Sequence, residues 1–248
     1  MFKAFFDWLF RRKQPTRTVV APIADQSGFE QLNVDAPLRQ PSTEDDSTAS
    51  IATYLCREAV LGRDQRIAGY HFMLQEGTRK RIRNSSRRVH HLFAEVLVRD
   101  LVRADIGRLL GHRLAFLEVP DSFLTHPCLA DLPARNTVLI ITPHPEANGP
   151  DIKELVATVA RLRQTGFRLG LPDPMLVAEF APLLPQTDVV VIRSPTLDAR
   201  RGLQLSRFIS DAAPQARLLV RDLPSLEHFR FAFKMGAGLF QGPFITSR

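Results

Sequence analysis

Few side chains in this sequence combine in a way that could do chemistry. His71, Glu118 and Asp173 offer an imidazole and two carboxylates, a donor set that suits a single transition-metal ion. They lie far apart in the chain, so only a fold that gathers strand ends would bring them together. The plainer reading, adopted here, is a histidine hydrogen-bonded at a strand end. His90 and His91 are adjacent at the start of a helical pattern. Neighbouring side chains on a helix point about 100° apart, so the two cannot share one ligand and are expected in solvent. Cys56 and Cys128 stand apart from each other and from any second cluster of ligands. Neither a disulfide nor a cysteine zinc site is expected, and both are read as reduced thiols of a cytosolic protein. No cofactor is assigned.

Thr78 to Arg88 reads TRKRIRNSSRR and carries Arg79, Lys80, Arg81, Arg83, Arg87 and Arg88. Such a run could touch phosphates. It has no interleaved aromatics and no helix-turn-helix beside it. A solvated face or a protein-partner patch is expected, and sequence-specific nucleic-acid reading is not. The 248 residues carry a formal charge of +7, mostly on arginine. With 44% hydrophobic and 24% charged residues, the chain is neither wholly disordered nor collagen-like. No apolar run reaches the roughly 18–20 residues that a spanning helix needs.

Three segments follow from composition. Residues 1–13 place Phe2, Phe5, Phe6, Trp8, Leu9 and Phe10 on one face of a helix, with Lys3, Asp7 and Arg11 opposite. This predicts an amphipathic helix that meets the inner face of a membrane or a protein partner. It is not a secretory signal, because the apolar stretch is short and charged and no small-residue cleavage site follows. Residues 14–50 are rich in Pro, Ser, Thr, Asp and Gln without a period, and are expected to form a disordered linker. Residues 51–248 alternate apolar strand patterns with amphipathic helices. Strands are predicted from Tyr54, Ile67, Leu114, Thr137, Arg168, Val189, Arg217 and Leu239. Helices are predicted over 89–110, 152–165, 175–184, 203–212 and 225–235. In the first of these, Leu92, Val96, Val102, Ile106 and Leu109 are the apolar positions. Near-continuous apolar strands between helices indicate a parallel sheet covered on its outside. A compact α/β barrel is preferred over an open doubly wound sheet.

REAVLGRDQRIAGYHFMLQ (57–75), DVVVIRS (188–194) and MGAGLFQGPF (235–244) resemble, in order and spacing, the EAL domain. The resemblance spans residues 53–245, and the opening phrase is most similar to EAL domains that precede an HDOD domain. It implies a TIM-like (β/α) barrel with an antiparallel first strand, a cyclic di-GMP phosphodiesterase ancestry, and divalent metals at the strand ends. It also implies where the catalytic groups should be, and this sequence departs from nearly all of them. The signature glutamate is replaced by His71 and the following arginine by Gln75. A metal-binding asparagine is replaced by Glu118. Leu139-Ile140-Ile141-Thr142-Pro143 stands for Leu-Glu-Ile-Thr-Glu. Of an Asp-Asp pair, Asp173 remains. Arg193 ends the segment that should read Lys-Ile-Asp. Val220-Arg221-Asp222-Leu223-Pro224 stands for Ala-Glu-Gly-Val-Glu, and Gln241-Gly242 is intact.

Asp173, Asp222 and Glu118 could meet at the barrel mouth, but without the lysine base they make a poor two-metal centre. Ile140 in place of a carboxylate and Val191 in place of the lysine predict a drier, smaller pocket. The expected function is therefore a catalytically inactive EAL-type regulatory or adaptor protein in bacterial signalling, working through protein–protein contacts. A cyclic di-GMP receptor that binds without cleaving is the alternative, and an active phosphodiesterase the least favoured. A protein partner is expected, with a membrane surface or a second copy compatible with the sequence. The expected location is cytoplasmic and peripheral to the inner membrane.

Overall fold

The computed structural model describes residues 54–75, 87–142 and 151–246. The aromatic face at 1–13, the linker at 14–50, most of the basic run at 78–88 and Pro143 lie outside the described residues.

The described residues open with a hairpin. β1 (Tyr54–Gly62) turns back through Arg63–Arg66 into β2 (Ile67–Gln75), with Tyr54 opposite Gln75. Such a short connection can join only antiparallel strands. Asp64 Oδ1 accepts the Arg66 amide at 3.2 Å, and Gln65 takes a left-handed φ of 63°. Every later strand runs parallel to β2, as crossover connections require: β3 (Leu114–Pro120), β4 (Thr137–Thr142), β5 (Arg168–Pro172), β6 (Val189–Arg193), β7 (Arg217–Arg221) and β8 (Leu239–Phe240). β1 also pairs antiparallel with β8, through Leu61–Phe240 and Gly62–Leu239. Among the described residues the eight strands form a closed barrel, which excludes the open sheet.

The strands are buried on both faces, and alternation sorts their side chains. Val60, Leu114, Phe116, Val138, Ile140, Val189, Val191, Leu219 and Leu239 fill the interior. Gly69 is required there, since a Cβ would lie 2.3 Å from the Leu114 carbonyl oxygen and 2.8 Å from the Phe116 ring. Leu117, Val119, Leu139, Ile141, Leu169 and Leu171 point outward, to a second core shared with the flanking helices.

The helices depart from expectation in three places. The predicted 89–110 helix is two helices, α1 (Arg87–Arg103) and α2 (Ile106–Leu110), broken where Asp105 takes a left-handed φ of 49°. Of its predicted apolar positions only Ile106 is buried; Leu92, Val96, Val102 and Leu109 are exposed. The inward stripe is Ala94, Leu97, Val98 and Leu101, at i, i+3, i+4 and i+7. Apolar residues lie on more than one face of α1, so the period alone selected the wrong one. The predicted 175–184 helix is instead two 3-10 segments, Asp173–Met175 and Ala178–Gln186. Pro182 and Pro185 lack the amide donors that an α-helix would use. α3 (Ile152–Thr165) and α5 (Leu226–Lys234) follow the reading, whereas α4 (Ala199–Ala212) starts earlier, where Asp198 caps the Arg201 amide at 2.7 Å. α6 (Pro243–Thr246) closes the described chain.

Candidate functional site at the barrel mouth

Alternation along each strand places one more inward residue above the apolar interior. Gly69 leads to His71, Phe116 to Glu118, Ile140 to Thr142, Val191 to Arg193, Leu219 to Arg221 and Leu239 to Gln241. β1 runs the other way, so Val60 leads back to Glu58. These residues meet at the C-terminal end of the barrel.

Arg221 is the centre of the arrangement. Its Nη1 donates to Glu118 Oε1, and its Nη2 stands 3.4 Å from His71 Nδ1. Gln241 Nε2 donates to Glu58 Oε2 at 2.6 Å and lies 3.3 Å from the same His71 Nδ1. Both neighbours of Nδ1 are donors, so Nδ1 is the acceptor and Nε2 carries the proton. That Nε2 is buried without a hydrogen-bond partner, 3.7 Å from Glu118 Oε1. Burial, reinforced by the Arg221 charge, pushes the His71 pKa down to about 3, so the imidazole is neutral. For Glu118, burial works upward, but the Arg221 guanidinium outweighs it and holds the carboxyl down at about 2. Arg221 itself is lowered by burial and raised by Glu118, Asp222 and Glu58, with a net upward direction.

The remaining carboxylates each take an arginine. Arg193 Nε donates to Asp222 Oδ2 at 2.6 Å. Arg201 Nη2 donates to Asp173 Oδ2 at 2.9 Å, and Thr196 Oγ1 approaches the same oxygen at 3.4 Å. Arg87 pairs with Asp121 at the end of β3. Asp222 has a left-handed φ of 57°, at the position where the resembling motif has glycine. Beside His71, a cavity of about 160 Å³ opens between α1 and the ends of β2 to β4, lined by His71, Glu118, Thr142, Phe93, Leu97 and Pro120 among others.

Several expectations change here. Glu118, Asp173 and Asp222 share no centre, and among the described residues no three His, Cys, Asp or Glu side chains stand close enough to hold a metal ion. The mouth is not dry: Ile140 and Val191 lie one layer below it, and the layer above is ionic. His71, Glu118 and Gln241 meet at the mouth, whereas Asp173 pairs with Arg201. Gln75 ends β2, and its side chain lies outside the described residues. His91 is half-buried rather than solvated, with Nδ1 3.2 Å from Ser122 Oγ and its ring edge-on to Phe123. Glu58, Thr142 and Arg221 also face the mouth, although their motifs assign them no role. The available signal was the two-residue step from Leu219 to Arg221 along an apolar strand. A second cluster went unnoticed: Cys128 Sγ lies 2.8 Å from His126 Nδ1. Burial first, and Glu95 next, push that thiol up, so it stays protonated.

The class that this geometry defines is structural. No family model matches the sequence, and no curated protein does. Solved structures do match, among them EAL-domain proteins. The Bacillus subtilis YkuI protein, with an EAL domain and in complex with cyclic di-GMP and calcium, superposes with a TM-score of 0.62 at 17% identity. The match covers 77% of this chain and 54% of that one, so this chain spans about half of the YkuI length. A standalone EAL protein from Vibrio cholerae O395, bound to cyclic di-GMP, gives a TM-score of 0.61 at 15% identity, over 79% of this chain and 91% of that one. Klebsiella pneumoniae BlrP1, in a calcium and cyclic di-GMP complex, gives 0.59 at 15% identity, over 98% and 70%. The chain therefore has the TIM-type barrel fold of EAL-domain proteins.

Among the described residues, the mouth does not fit a divalent metal ion. The Glu118 carboxylate is bonded to Arg221, the His71 lone pair faces two donors, and Asp222 and Asp173 are taken by Arg193 and Arg201.

Proposed function

We propose that this chain is a non-hydrolysing EAL-fold module of cyclic di-GMP signalling, acting as a regulator through protein–protein contact. The observation that carries the reading is Arg221. A tethered cation stands among carboxylates where hydrolysis of a phosphodiester calls for hard cations and a base for the attacking water. His71 is no substitute base, because its only lone pair is engaged by Arg221 and Gln241 and its pKa is far below neutral. The signalling class is supported by the fold neighbours solved with cyclic di-GMP.

A second reading is a receptor that binds cyclic di-GMP without cleaving it. Arg193 favours it, with its side chain 44% exposed at the rim and able to meet a phosphate. Calorimetry with cyclic di-GMP, with and without magnesium, followed by chromatography, separates the two. Absence of heat in both conditions is expected for the regulator. Heat without linear product turns the conclusion to the receptor. Linear product overturns both.

A further inference from the structure

The end of the barrel opposite the mouth brings two arginines together. Arg168 opens β5 and Arg217 opens β7, with one strand between them. Arg168 is level with Val138 and Arg217 with Val189, and both valines belong to the barrel interior. Both arginines therefore start on the inner face of their strands. We propose that this end of the barrel holds a small molecule through a doubly charged oxyanion of the phosphate-monoester type, gripped by Arg168 and Arg217. The site is separate from the mouth and does not depend on what the mouth binds.

The fold leaves these two charges without a partner. Desolvation, and next the Arg168 charge, push the Arg217 pKa down, with Asp64 acting the other way. Asp64 makes no ion pair with Arg217, and its Oδ1 accepts the Arg66 amide at 3.2 Å. Asp188, at the start of the intervening strand, is engaged by Arg163 and by the Leu169 amide at 2.8 Å. Among the described residues neither Arg168 nor Arg217 forms an ion pair, and Arg217 donates one hydrogen bond, from Nη2 to the Gly238 carbonyl at 3.3 Å. A guanidinium carries five N–H donors, so most of those on the two side chains are open to a ligand.

The surroundings define the ligand class. Gly238, over which Arg217 reaches, borders a groove of about 380 Å³ between the end of α4 and the starts of β7 and β8. Ser206 and Ser210 line it with hydroxyls, and Ile209, Pro214 and Met235 with apolar surface. That is room for a small molecule rather than a polymer. A phosphate matches the forked donors of a guanidinium bidentately, and two guanidiniums match its two charges.

The test uses the full chain and thermal unfolding at about pH 8, where phosphate is mainly doubly charged. Sodium phosphate replaces sodium chloride at constant ionic strength. Phosphate stabilises folded proteins non-specifically, so the Arg168→Ala, Arg217→Ala double variant sets the baseline. The wild-type Tm is expected to rise above that baseline by roughly 3–6 °C at a tenfold excess over Kd. Either single alanine variant should need roughly tenfold more phosphate for the same rise. Arg193→Ala, at the mouth, is expected to respond as wild type does. A wild-type rise no larger than that of the double variant overturns the proposal, as does a rise that Arg193→Ala removes. If Arg217→Ala is insoluble, Arg168→Ala and Arg217→Lys carry the comparison, and an undiminished rise in both overturns the proposal. Sedimentation with phosphatidylcholine vesicles containing phosphatidate separates a free phosphate from a lipid headgroup. No Arg217-dependent sedimentation is expected, and such sedimentation without a response to free phosphate overturns the small-molecule assignment.

Discussion

His71 sits where a strand end meets a guanidinium, and its neutrality has a measurable cost in acid. Its pKa falls from an ordinary 6.5 to about 3 on folding. A depressed pKa means that the unfolded chain binds the proton more readily. The stability it contributes is complete above pH 6.5 and is lost as pH falls toward 3. Between pH 6.5 and 4.5 the loss should be about 2–3 kcal/mol. Glu118, held at about 2, adds its own loss only below its ordinary 4.5. Urea unfolding at pH 7 and 4.5 should therefore show a steeper acid loss for wild type than for His71→Asn. His71→Glu is expected to yield no linear product from cyclic di-GMP in a chromatographic assay, because groups that act as a unit do not contribute singly. His71, Glu118 and Gln241 were legible as mouth residues because their motifs could be matched one by one. Arg221 was not, since a carboxylate replaced by its opposite charge reads as a loss until the neighbours are seen to close around it.

The strands were more legible than the helices, for a physical reason. A parallel barrel strand is buried on both faces, so an apolar run such as TVLIIT is unambiguous. An outer helix needs only one buried stripe, and α1 offers more than one, so the pattern does not distinguish the exposed Leu92 and Val96 from core positions. The 3-10 segments replaced a predicted helix because two prolines outweighed the apolar pattern. Two substitutions test the elements directly. Gly69→Ala would force a methyl group against the fixed backbone of β3, and should cost at least about 2 kcal/mol in chemical denaturation. Asp198→Ala removes the cap of α4 and should cost about 1 kcal/mol by the same measurement.

On the scale of the whole molecule, the barrel follows from the sequence, and the amphipathic helix expected at 1–13 lies outside the described residues. If residues 1–13 form the expected helix, its aromatic face would be costly in water, and the cations that follow it would favour an anionic surface. Deleting residues 1–13 is expected to move the protein from the membrane fraction to the soluble one, with the barrel Tm nearly unchanged. A Tm lower by many degrees would make that segment part of the barrel core instead. The antiparallel first strand has a mechanical consequence. Because β1 runs opposite to β8, the chain comes into the barrel at Tyr54 and leaves it at Gln241 on the same rim. Tension applied between those two points peels the strands apart from one end. The Glu58–Gln241 bond breaks first, and the two residue pairs Leu61–Phe240 and Gly62–Leu239 follow in turn rather than sharing the load. Bonds loaded one at a time give way singly, so pulling a single molecule between those two points is expected to open the seam between first and last strand, from the mouth.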